Sequence, residues 1–142
     1  MSGAGKVIVL DSWALLAYLD GEPAGTRVRQ LLRRARGREL QVLLSLISFG
    51  ECLYVIEREH GLQRAQQAVG IIDQLALRVV PVDRPLVLAA AHLKARHAIS
   101  YADAFTAAVA LRHRGVVMTG NPEFEALASE MPILWLEDRR RR

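Results

Sequence analysis

The stretch Lys6-Val7-Ile8-Val9-Leu10-Asp11-Ser12-Trp13-Ala14-Leu15-Leu16-Ala17-Tyr18-Leu19 decides how the rest of the chain is read. Lys6 to Leu10 reads as a central strand covered on both faces, its Val7 to Leu10 an unbroken, mostly β-branched apolar run. Ser12 to Leu19 reads as a short helix, stopped by the turn-forming Asp20-Gly21-Glu22-Pro23. Between them sits Asp11, a carboxylate in a segment otherwise suited to burial. Removing such a group from water costs several kcal/mol unless charges or hydrogen bonds compensate.

Strands and helices alternate along the remainder. Ala24 to Arg36 sets apolar Val28, Leu31 and Leu32 against many arginines, an amphipathic helix closed by Gly37. Leu40 to Ser45 is the second expected strand. Helices are expected over Ile47 to His60, ended by Gly61, and over Gln63 to Leu75. Leu77 to Val82 reads as a strand, Arg84 to His97 as a helix and the Ala-rich Tyr101 to His113 as another, with Gly115 just past its end. Val116 to Thr119, a short helix from Pro122 to Ser129 and a strand from Ile133 to Leu136 complete the series. Such alternation implies right-handed crossovers and an α/β fold of three layers, α/β/α, around a central parallel sheet of four to five strands.

The 142 residues fit one domain, expected over residues 1–137, with the basic segment 138–142 as a disordered tail. The longest apolar runs are too short to span a membrane, so no membrane association is expected. Met1 to Lys6 leads directly into a strand and does not resemble a secretory leader. The lone cysteine, Cys52, excludes an internal disulfide and suits a reducing cytoplasm. A formal net charge of +4 and a pI near 9.8 favour a polyanionic partner. Lys6 and Lys94 are the only lysines. The arginine bias suits phosphate recognition, and a GC-rich genome would produce it equally.

Two further acids share the placement of Asp11. Glu51 is the only charged residue in Leu43 to Ile56, and Asp103 is the only charge between Ile99 and Leu111. On the expected map Asp11 follows the first strand, while Glu51 and Asp103 occupy the first turns of helices. Sites in open α/β sheets form outside the carboxyl ends of strands, where crossovers diverge. Converging carboxylate oxygens there are what a hard ion such as Mg²⁺ or Mn²⁺ requires. Capping competes as an explanation. Ser48-Phe49-Gly50-Glu51 and Ser100-Tyr101-Ala102-Asp103 have capping-box spacing, and Asp11 can cap the helix it precedes. Capping leaves unexplained why all three acids are flanked by apolar residues. Asn121, the only asparagine, precedes Pro122 as a helix cap would, and Thr119, Asn121 or Glu123 can add an oxygen to the same crevice.

These segments, in order, resemble the PIN domain family. The strand ending in Asp11 with Ser12 and the Leu15-Leu16-Ala17-Tyr18-Leu19 helix is similar to its opening. Ile47-Ser48-Phe49-Gly50-Glu51 resembles its second acidic element, Ile99-Ser100-Tyr101-Ala102-Asp103-Ala104-Phe105 its third, and Thr119-Gly120-Asn121-Pro122-Glu123-Phe124 its fourth. Stand-alone members of this size are typically toxins of VapBC-type toxin–antitoxin pairs. The resemblance implies a PIN-like fold and a Mg²⁺- or Mn²⁺-dependent endoribonuclease. It also implies a homodimer and a cognate small antitoxin whose C-terminal segment covers the groove. The family's fourth motif commonly carries Asp where this chain has Asn121. That removes one negative charge and bears on a second metal position, for which Glu123 is the candidate replacement.

Three ionised acids would repel RNA, and a divalent ion reverses the local sign. The roles expected are metal ligation by Asp11 and Asp103, and ligation through water or nucleophile positioning by Glu51. Ser12, Thr119 and Asn121 would support them by hydrogen bonding, with Glu123 as a further member of that shell. Phosphate grip is expected from Arg33-Arg34-Ala35-Arg36-Gly37-Arg38, Arg112 and Arg114, against the simpler reading of solvated helix faces. Gly3-Ala4-Gly5-Lys6 lacks the hydroxyl residue and preceding strand of a phosphate loop, and the four histidines lack zinc spacing. Two other readings keep the same residues. One is a catalytically weakened PIN-like module that binds RNA or protein, which Asn121 favours. The other is a small-molecule phosphatase, which would need a closed pocket.

Overall fold

The computed structural model describes residues 5–136; the expected tail at 138–142 lies outside them. In chain order the elements are β1 (Lys6–Leu10), α1 (Ser12–Leu19), α2 (Gly25–Arg36), β2 (Leu40–Ser45), α3 (Leu46–His60) and α4 (Leu62–Gln74). There follow β3 (Arg78–Val80), α5 (Arg84–Arg96), α6 (Tyr101–His113), β4 (Val116–Thr119), a 3-10 helix (Pro122–Leu127) and β5 (Ile133–Trp135). The five strands form one sheet in the order β3-β2-β1-β4-β5, parallel throughout, with helices on both faces. The fold class therefore agrees with the sequence reading.

Strand pleating divides the core. Val9, Leu43 and Val117 point to one face, against Leu86 and Leu93 of α5 and Phe105 and Val109 of α6. Ile8, Leu10, Val42, Leu44 and Met118 point to the other, against Leu15 of α1, Val28 and Leu32 of α2, and Ile72 of α4. The first crossovers run from β1 outward to β2 and β3, and the next returns to β4 on the opposite side of β1. The direction of winding therefore reverses between β1 and β4, and their carboxyl ends define the crevice.

Two boundaries moved for physical reasons. β3 is shorter than the expected Leu77 to Val82, pairing only with Leu43 to Ser45 and ending before Pro81, which lacks the N–H to continue a ladder. The helix expected from Pro122 to Ser129 is a 3-10 turn ending at Leu127. Among the described residues no helix is long and apolar enough to cross a membrane.

Candidate active site

Asp11 sits one residue beyond β1 and caps α1, its Oδ1 accepting the Ala14 N–H at 2.8 Å. Its Oδ2 accepts the hydroxyl of Thr119, the last residue of β4. The side chain is 1% exposed. Burial pushes its carboxyl up to about 7; the bonds from Thr119 and Ala14 oppose the rise, and the Glu51 charge adds to it. Capping and a functional role are thus not alternatives at Asp11. One oxygen caps, and the other faces the crevice.

Glu51 is not where the capping-box spacing put it. α3 follows β2 without a loop, so Ser45 is the cap, its hydroxyl accepting the Ile47 N–H at 3.0 Å. That leaves Glu51 in the second turn, half-buried, its Oε1 accepting the Ser12 hydroxyl at 2.7 Å. Ser48 is inside the helix rather than capping it. Its hydroxyl meets that of Thr106 at 3.0 Å, both fully buried. This pair ties α3 to α6 while Ser12 and Glu51 tie α3 to α1. The Ser48–Thr106 contact was absent from the sequence reading; its only signal was two hydroxyls on apolar helix faces. Burial pushes the neighbouring Cys52 thiol up, reinforced by Glu51 and Asp11, so it is an inert core group.

Asp103 lies in the first turn of α6, 5% exposed. Ser100 caps the helix by accepting the Asp103 N–H at 3.1 Å, but the reciprocal half of a capping box is missing. The Ser100 N–H instead goes to Oε1 of Glu123 at 3.1 Å. The Asp103 carboxyl is left to accept the Asn121 Nδ2–H at 3.2 Å, with the Glu123 carboxyl as a neighbour. Burial, then the Glu123 contact, then the Asp11 charge push it well above the usual carboxylate range.

Asn121 joins these groups. Its backbone N–H reaches Thr119 Oγ1 at 2.9 Å, and its Oδ1 caps the 3-10 helix by accepting the Glu123 N–H at 3.1 Å. Its carbonyl is thus committed to the cap, and the crevice receives the amide. The turn is shaped by Gly120, where a Cβ would collide with the Trp13 ring, so β4 closes directly onto α1.

The structure therefore links Asp11, Thr119, Asn121, Asp103 and Glu123 in one chain of contacts, with Glu51 and Ser12 beside it. Among the described residues none of these carboxylates is ion-paired to Arg, Lys or His. Nor do three carboxylate, histidine or cysteine side chains converge as closely as the ligands of a metal ion. The donor chemistry nonetheless fits a hard divalent cation: oxygen donors, mutual repulsion, and two carboxyls raised first by burial and then by neighbouring acids. Of the expected phosphate contacts, Arg112 is committed to Asp83 through bonds of 2.8 and 3.1 Å, and Arg34 to Glu39 at 3.2 Å.

No curated protein sequence matches the chain. Among solved structures it is similar to DNA-bound VapBC from Salmonella typhimurium, at 21% identity and a TM-score of 0.70, over 93% of this chain and 99% of that one. It is similar to VapC20 from Mycobacterium tuberculosis, described as a sarcin-ricin loop cleaving toxin, at 21% identity and a TM-score of 0.67, over 86% and 95%. It also resembles FitAcB from Neisseria gonorrhoeae, at 20% identity and a TM-score of 0.67, over 91% and 97%. At these identities the likeness is one of fold. The family model of the PIN domain matches residues 8–130, and the chain belongs to that family.

Proposed function

We propose that the protein is a Mg²⁺- or Mn²⁺-dependent endoribonuclease, the toxin of a VapBC-type pair, acting in the cytoplasm as a homodimer restrained by a small antitoxin. The observation that carries this reading is the gathering of Asp11, Glu51, Asp103 and Glu123 where the winding reverses, with no cationic side chain paired to them among the described residues. The neighbouring structures support the class: one is described as a sarcin-ricin loop cleaving toxin, one as a toxin–antitoxin complex and one as DNA-bound VapBC.

Asp11 and Asp103 would hold the ion directly, and Glu51 would hold it through water or position the nucleophile. When bound, the ion lowers the pKa of an attacking water and stabilises charge on the leaving oxygen. The chain's own task is orientation. Ala14 and Thr119 fix the two oxygens of Asp11, Ser12 fixes Glu51, and the Asn121 amide fixes Oδ2 of Asp103. Asn121 is thus a positioning residue, and Glu123 supplies the fourth carboxylate. A weakened RNA- or protein-binding module is the second reading, favoured by the commitment of the Asn121 carbonyl to a cap.

Cleavage of a pool of structured RNAs with Mg²⁺ or Mn²⁺, alongside EDTA and Asp11→Asn controls, tests the reading. Cutting that both controls abolish is expected. Cutting that survives both overturns it, and metal-independent RNA binding without cutting selects the second reading.

A further inference from the structure

The carboxylates occupy the carboxyl end of the sheet, whereas unpaired arginines gather at the other end. β1 and β2 align Lys6 with Leu40 and Leu10 with Leu44. Leu40 therefore stands roughly 13 Å along the strands from the level at which β1 gives way to Asp11.

Two grooves meet there at Ala76. One, of about 440 Å³, opens beside Leu40, Gln41 and Val42, which β3 leaves unpaired because its ladder begins at Leu43. Arg38 and Arg78 line it. The other, of about 310 Å³, carries Arg29, Arg33 and Arg36 of α2, with Tyr18 of α1 and Leu32 beside them. These three arginines are spaced i, i+4 and i+7, so they form one row with successive charges about one helical pitch, ~5.4 Å, apart. Val28, Leu31 and Leu32 bury the adjoining stripe of the helix, which leaves the arginine row exposed along its edge. Among the described residues none of the five arginines is paired with an acid, although Arg34 between them is.

Five like charges on adjoining grooves repel one another and attract a polyanion. Guanidinium forks match phosphate, and a basic groove with an aromatic ring on its wall is the arrangement that tracks a single-stranded backbone while a base stacks. An acidic peptide would use the charges and make no use of the part of the Tyr18 ring that the core leaves uncovered. We propose that these two grooves form an RNA-binding exosite, remote from the carboxylates, that grips the phosphates of a single-stranded segment of the substrate. The choice of RNA rests on the ribonuclease reading; the location rests on the arginines.

Binding of a fluorescent, non-cleavable single-stranded RNA to the full chain in EDTA tests it across a salt series. The variant Arg29→Gln/Arg33→Gln/Arg36→Gln is expected to bind at least ~10-fold more weakly, with the slope of log affinity against log salt reduced by about 2. Arg38→Gln/Arg78→Gln is expected to lower the slope by about 1. Arg58→Gln, which removes a guanidinium lying over the Tyr54 ring elsewhere, leaves both unchanged. A triple variant with an unaltered melting curve that binds with native affinity and slope overturns the proposal. So does a polyglutamate peptide that depends on these arginines while RNA does not, which would assign the grooves to an acidic protein partner. Because binding is read without cutting, RNA held here but never cleaved defeats only the nuclease reading. Metal-dependent cleavage with arginine-independent binding defeats only the exosite.

Discussion

The backbone N–H of Ser100 is held by Glu123, 23 residues downstream, and not by Asp103 three residues ahead of it. A capping box would have turned the Asp103 carboxylate back onto the helix start. With Glu123 taking that place, Asp103 faces Asn121 and Asp11 instead.

Glu123→Ala should therefore do two separable things. Loss of the Ser100 bond should cost about 1 kcal/mol in thermal unfolding, and loss of the fourth carboxylate should weaken divalent-ion affinity in calorimetric titration. Glu123→Gln keeps an acceptor for Ser100, so it should restore stability but not ion affinity. Equal effects of both variants on both measurements would contradict this division.

The buried Asp11 makes stability fall with rising pH in metal-free buffer. Its carboxyl titrates near 3.8 when exposed and about 7 in the folded chain. Between those values the folded state keeps a proton that the unfolded state has released, so folding is progressively penalised. The penalty is absent below the lower value and complete above the upper one, on the order of 4 kcal/mol. Melting temperatures in EDTA should drop across this window. Mg²⁺ or Mn²⁺ should recover them at about pH 8 but not at about pH 5. Asp11→Asn should make the curve shallower and raise its alkaline end while abolishing activity, the raised Asp103 carboxyl keeping part of the slope.

Thr119→Val removes the hydroxyl that favours the ionised form of Asp11. The acid limb of the pH–activity profile should move to higher pH, with the plateau less affected. An unmoved limb would mean that Asp11 does not set it.

Ser48 and Thr106 should behave as a coupled pair. Ser48→Ala alone leaves a buried hydroxyl on Thr106 without its partner and should cost about 1–3 kcal/mol. Ser48→Ala/Thr106→Val should cost less than the sum of the singles, as a double-mutant cycle in denaturant will show. Additive losses would indicate that the contact carries no coupling between α3 and α6.

The sequence alone determined the α/β class, the parallel sheet and ten of its strand and helix positions to within a residue or so at each end, because hydrophobic period and turn residues act locally. It also singled out Asp11, Glu51 and Asp103, since a carboxylate in an apolar segment is conspicuous without any fold. What each carboxylate faces was decided only by tertiary structure. Ser45 displaced Ser48 as a cap because β2 enters α3 directly, and that moved Glu51 down to Ser12. Glu123 displaced Asp103 from the α6 start because the turn after β4 brings Asn121 and Glu123 over that helix. Arg78 joined the α2 arginines only through the pairing of β3 with β2. These outcomes depend on which groups meet across 18 to 108 residues of chain, a competition for partners that local spacing does not encode.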